Sequence, residues 1–306
     1  MADAGAIIHV HPMNHAKYLA LLIPLLWIVS MHAGAQSTLK IAVSIAPEKF
    51  FIKQIAGEQA EITVMLPAGA NPHVYEPSPR QLSALANSRL YFAIGLPFED
   101  IWLNKLHQQS PQLAVIELDQ DNSSTIPVTQ PHAGSKPDHT HGANEDPHPW
   151  TDPLLVMVMA DRITAALQRI DPDHAETYQR NNATFKGELT LLDKDLHRLL
   201  DILPRREFIV QHPAWGHFAQ AYGLSQIAIE QGGREPGPQQ LAQIIDLAKK
   251  KQIRTIFASP ETDIRPARAV AQAIGGKVVI LDPLREDYLR SLRETGAAIA
   301  QALRGS

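Results

Sequence analysis

Cysteine is missing from all 306 residues, and that absence closes several routes at once. No disulfide can staple the fold, no thiolate can hold a metal, and no lipid can be attached through a cysteine of this sequence. Charge of one sign is also lacking: 28 basic residues against 32 acidic ones leave a net charge of −4. So mild a balance offers no electrostatic footprint for nucleic acid or an anionic membrane. Long apolar runs are scarce too. The longest, Tyr18 to Met31 (YLALLIPLLWIVSM), has about 14 residues where roughly 20 are needed to cross a bilayer. It follows Lys17 and ends at Ala33-Gly34-Ala35, a small-residue cleavage pattern, so 1–35 reads as a signal peptide. The expected product is an exported, soluble periplasmic monomer without a lipid anchor.

What is present from position 36 onward is an alternation of short β-branched runs with longer helical patterns. Strands are predicted at Leu39–Ile45, Glu61–Leu66, Arg89–Ile94 and Leu113–Leu118, with helices between them at Lys49–Ala56, Pro79–Asn87 and Glu99–Gln108. A second series has strands at Phe208–Gln211, Gln226–Glu230, Thr255–Ala258 and Lys277–Leu281, and helices at Ala214–Tyr222, Pro238–Lys250, Arg265–Ile274 and Glu286–Leu303. Such series are α/β, and the expectation is two lobes of (βα)4 type, 36–172 and 204–306. Between them, 173–203 carries Phe185, Leu189, Leu192, Leu196, Leu199 and Leu203 at alternating spacings of four and three, one apolar stripe on a long connecting helix. Residues 119–145 are rich in Pro, Ser, Asn, Gly and His and poor in large apolar side chains, which predicts a loop without a core of its own.

The chain has 14 histidines, and one of them raises a question. In NEDPHPWTDP, His148 sits between two prolines with carboxylates on either side, just ahead of a helix start marked by Asp152 and Pro153. His73, in NPHVYEPSPRQ, has a matching context, with Ser78, Pro79 and Gln81 forming a capping box. In the second series His212 directly follows FIVQ, and Asp282 directly follows KVVIL. Ligands of open α/β sheets bind beyond the carboxyl ends of strands. All four residues fall near such ends, two from each lobe. Three imidazoles and a carboxylate suit a tetrahedral divalent metal, zinc above all. Spacing alone leaves open the other reading, four residues with separate structural roles.

The blocks NPHVYEPSP, DPHPWTDP, QHPAWGHFAQAYGL, REPGPQQL and VVILDPLREDYLRSLR, in this order, resemble the zinc and manganese substrate-binding proteins of bacterial ABC importers, most closely the zinc-binding, ZnuA-like branch. The resemblance runs from KIAVSIAPEKFFIKQIAG to the C-terminal helix. It implies two α/β lobes on a rigid backbone helix, a Zn(II) ion in the cleft between them, and delivery to an inner-membrane permease with its ATPase. Carried over residue by residue, the ligands fall on His73, His148, His212 and, at the carboxylate position, Asp282. Manganese-specific relatives have glutamate at the third position, where this chain has His212, which favours zinc over manganese. The branch also tends to carry a histidine-rich loop before the second ligand; here it is sparse, with His132, His139 and His141. These three either collect zinc weakly or are incidental to a solvated linker.

Glu76 either orients a ligand imidazole or makes a surface ion pair. Trp150 and Trp215 read as packing residues walling the cleft, and His107, His174, His197 and His217 as structural. A binding protein rather than an enzyme is expected, with a manganese carrier or a zinc hydrolase as alternatives. The chain lacks an H-E-x-x-H helix and any carboxylate clearly placed as a general base.

Overall fold

A computed structural model describes Met1, Gly5 and residues 38–99, 103, 110, 112–119, 146–230 and 236–305. The expected signal peptide, most of the expected helix Glu99–Gln108 and the loop with His132, His139 and His141 lie outside the described residues.

The first sheet is built from β1 (Leu39–Val43), β2 (Ala60–Val64), β3 (Leu90–Ala93) and β4 (Ala114–Glu117), all parallel, in the order β2-β1-β3-β4. The second repeats this plan with β5 (Glu207–Val210), β6 (Ser225–Ala228), β7 (Thr255–Ala258) and β8 (Lys277–Ile280), in the order β6-β5-β7-β8. Parallel neighbours need crossovers, and these cover both faces of the sheet with helices. That is why β3 (LYFA) and β7 (TIFA) are short apolar runs buried along their whole length.

Local chemistry sets the helices. α1 (Ala46–Ala56) has Pro47 in its first turn, and α2 (Pro79–Ala86) opens with the expected box, in which Ser78 Oγ accepts from the Gln81 amide and Gln81 Oε1 accepts from the Ser78 amide. α3 (Pro153–Ile170) starts at Asp152, whose Oδ1 accepts from Leu154 N at 2.8 Å. The sequence marks that start but not the 18-residue helix behind it. A short turn at Pro172–His174 then reverses the chain into α4 (Ala175–Leu200), and the two helices pack as an αα-hairpin. The expected single connector is therefore half of a helical pair. It has 26 residues, about 39 Å at 1.5 Å each, and ends three residues short of the expected Leu203. Phe185, Leu189, Leu192, Leu196 and Leu200 are its buried stripe, while Leu199 is only partly covered. In the second lobe follow α5 (Gly216–Ala221), α6 (Pro238–Lys250), α7 (Arg265–Ala273) and α8 (Tyr288–Arg304).

Leu39–Ser306 is one compact unit with a continuous core. Apolar contacts run from β1, α1 and β3 through α3 and α4 to β5, α5 and α8, and a smaller core lies between the second sheet and α6 and α7. Phe51 of α1, Phe185 of α4 and Tyr288 of α8 meet at ring distances of 4.9 Å (Phe51 to Tyr288) and 6.0 Å (Phe51 to Phe185). Lys49 and Lys53 of α1 both pair with Glu286 ahead of α8, at 2.8 and 3.0 Å. These contacts tie the lobes through the helical pair and directly. No helix among the described residues is long and apolar enough to cross a membrane.

Candidate metal centre

One local device recurs around the cleft. In Asn71-Pro72-His73, Asp146-Pro147-His148, Asp152-Pro153-Leu154 and Asp282-Pro283-Leu284, the side-chain oxygen of the first residue accepts the backbone N–H of the third, at 2.9, 3.2, 2.8 and 2.8 Å. Asn and Asp favour such turns, and the following proline restricts the backbone that closes them. Two of the four thereby aim a histidine into the cleft.

His73 arrives on the loop after β2, His148 on the segment entering α3, and His212 at the second residue beyond β5. Their ring centroids are 4.8 to 5.8 Å apart, and one ligand atom from each falls within 4.8 Å of the others. His73 Nε2 and His212 Nε2 are 3.1 Å apart. Zinc–nitrogen bonds of about 2.0–2.1 Å would set two corners of a tetrahedron about 3.3 Å apart, so this pair already stands near the spacing an ion requires.

The far nitrogens are held. Asp146 Oδ1 lies 2.5 Å from His148 Nδ1, and Glu230 Oε2 lies 2.9 Å from His212 Nδ1. With Nδ1–H donating to a carboxylate, Nε2 keeps its lone pair for the cavity, the usual arrangement behind metal-ligating imidazoles. His217 Nε2 donates to the Asp146 carbonyl at 2.9 Å, and Trp150 packs on His148 at 5.2 Å while donating to the Pro283 carbonyl. Both contacts bind the His148 segment to the second lobe.

Burial sets the charge state. It pushes the His73 imidazole down to about 4, helped by His212 and His148. Burial also lowers His148, against the opposing pull of Asp146. For Asp146 burial acts upward, but the hydrogen bond and charge of His148 outweigh it and hold the carboxyl below its ordinary value. Neutral imidazoles are the metal-binding form.

The cavity enclosed here measures about 20 Å³ and is lined by the three histidines together with Ser259, Glu261 and Thr262 among others. That is room for one ion or water, whereas organic ligands occupy pockets of about 300–1,000 Å³. Asp282, expected at the fourth position, is neither in the three-histidine group nor in the cavity wall. Its Oδ1 serves its own turn, and its carboxylate faces Glu261, whose carboxyl is pushed up to about 8 by burial and then by the Asp282 charge. Glu76 is exposed; the carboxylates that orient imidazoles are Asp146 and Glu230. His174 and His197 pair with Asp171 and Asp201 on the helical hairpin, away from the cleft. Trp150 and Trp215 are buried as packing residues.

Three residues escaped the sequence reading. Asp146 had a visible signal, since its Asx-Pro-His spacing repeats that of Asn71. Glu230 had none, because only the β5–β6 register, Val210 opposite Ala228, continued by two residues brings it beside His212. Glu261 is placed by the loop after β7. In the first lobe the strand ends hold carboxylates of another kind: Glu48 accepts from the Ser44 and Ile45 amides, and Glu99 from those of Ile94, Gly95 and Leu96.

Residues 41–302 match the model of the family described as ZnuA, zinc-uptake complex component A, periplasmic. The chain is 27% identical over 256 residues to the high-affinity zinc uptake system protein ZnuA of Bacillus subtilis, covering 80% of this chain and 78% of that protein. It is 28% identical over 258 residues to the zinc-binding lipoprotein AdcA of Streptococcus pneumoniae, covering 82% of this chain and 51% of AdcA; the chain thus spans about half the length of that relative. A crystal structure of a ZnuA deletion mutant with zinc bound superposes with a TM-score of 0.78 at 36% identity, covering 88% of this chain and 100% of the other. The chain belongs to the ZnuA family.

Proposed function

We propose that this member of the zinc-uptake family captures one Zn(II) ion between His73, His148 and His212 in the periplasm and hands it to the permease of an ABC importer. The observation that carries this reading is the meeting of three buried or half-buried imidazoles within 4.8 Å, two of them braced by carboxylates, around a space sized for an ion. An all-nitrogen set favours zinc over manganese, which prefers oxygen. A carboxylate from the second lobe, in the Asp282 and Glu261 loops, completes the site. Zinc is here the cargo, and the chain binds without transforming it. Export by a cleaved leader and a weak collecting role for His132, His139 and His141 belong to the same reading.

The test is metal content of the purified chain followed by competitive titration. One zinc per chain, not displaced by excess manganese, is the expected result; displacement by manganese would overturn the assignment of the ion. Delivery is tested separately, by zinc-dependent stimulation of a reconstituted permease and ATPase.

A further inference from the structure

Three neutral imidazoles leave a divalent ion with its full charge in a partly desolvated cleft, and a buried charge needs an opposite one nearby. Of the carboxylates around the cavity, Asp146 and Glu230 are engaged behind His148 and His212. Asp282 is committed to its turn, accepting from Leu284 N at 2.8 Å, and does not line the cavity. Glu261 does line it, on the loop beyond β7 and across from the histidines. It is partly buried and hydrogen-bonded to the Asp282 side chain.

We propose that Glu261, rather than Asp282, supplies the oxygen donor that completes the metal site, and that Asp282 is the positioning residue that holds it. In this structure the Glu261 oxygens stand outside the 4.8 Å group formed by the three histidines. The side chain joins by a rotation about its own torsions, swinging from Asp282 onto the ion. A glutamate has one methylene more than an aspartate and reaches inward from the wall, whereas Asp282 would have to break its Asx turn to do so. The division of labour matches the histidines: one group faces the ion, and a carboxylate behind it fixes its direction. Charge also arrives only where the ion sits, so a monovalent cation gains less from the closure than a divalent one.

This inference rests on the zinc-binding reading above, and the experiment separates the two. The full chain and its Glu261→Gln and Asp282→Asn variants are titrated with zinc against a chromophoric chelator, and the zinc-loaded forms are examined by X-ray absorption. Glu261→Gln is expected to lower affinity by more than about tenfold and to alter the oxygen component of the first shell, while Asp282→Asn loses less, within the roughly 10–100-fold range of a supporting residue, and keeps that shell. Melting of the metal-free proteins reports whether the variants fold; should Glu261→Gln not fold, Glu261→Asp takes its place, with a lengthened metal–oxygen distance expected. Equal losses, or a larger loss for Asp282→Asn, would overturn the assignment while leaving zinc binding intact. A wild-type chain that takes up no zinc would overturn both.

Discussion

His148 and His212 are each backed by a carboxylate at the far ring nitrogen, and that backing is worth testing apart from the ligands. Asp146→Asn and Glu230→Gln should each weaken zinc about 10–100-fold by loosening ring orientation and lowering ligand basicity, whereas His148→Ala or His212→Ala removes a donor outright and should cost more; chelator competition ranks them. Gly216 belongs to the same arrangement, because a Cβ there would collide with Asp146 Oδ2. Gly216→Ala should therefore reduce affinity although it touches no ligand. The pH dependence follows from His73, whose folded value of about 4 lies below the ordinary 6.5. Between those values the unfolded chain binds a proton that the metal-free fold does not. This contribution to stability, on the order of 3 kcal/mol, is present above about pH 6.5 and is lost as pH falls through 4. Urea unfolding of the metal-free protein from pH 7 to 4 should show the loss, and His73→Asn should flatten it.

Among the elements, the α3–α4 hairpin and α8 bear the packing that keeps the lobes in register. Leu189 is fully buried in the α4 stripe, so Leu189→Ala should destabilise by about 2–5 kcal/mol, the range for large-to-small core changes. Gly296 of α8 lies where a side chain would strike Leu196 of α4. Gly296→Val should cost about 1–3 kcal/mol through overpacking. Thermal melting checks both, with zinc affinity at temperatures where the variants are folded expected to change little, since neither residue touches the cleft. The stripe was legible because its spacing is a property of the helix itself. The partner α3 was not, since the PLLVMVMADRITAALQRI run has no feature that tells a paired connector from an ordinary crossover helix.

For the molecule as a whole, metal and cross-lobe contacts act on the same equilibrium. The Lys49, Lys53 and Glu286 pairs, the Phe51–Tyr288 contact and the Trp150 and His217 hydrogen bonds hold the lobes together before any ion is present. Zinc adds a link that the unfolded chain lacks. At 100 times the dissociation constant it should stabilise the fold by about 2.7 kcal/mol, seen as a rise in melting temperature that disappears with a chelator. No rise with zinc would contradict the site, and an equal rise with manganese would contradict its selectivity.

Fold class, strand positions, helix caps and the three histidines were all readable in the chain, because each rests on local physics: periodicity, Asx-Pro turns, and side chains that follow strand ends. Which carboxylate stands behind which imidazole was not. Glu230 reaches His212 only through a strand register, and Asp282 turns away because its own backbone claims its oxygen. Glu261 enters the cavity wall only because the second sheet sets the loop after β7 opposite the histidines. Identity of the donors is a matter of residue type, but their distance and direction depend on pairings between segments far apart in sequence, and those are decided when the two sheets and the helical pair pack.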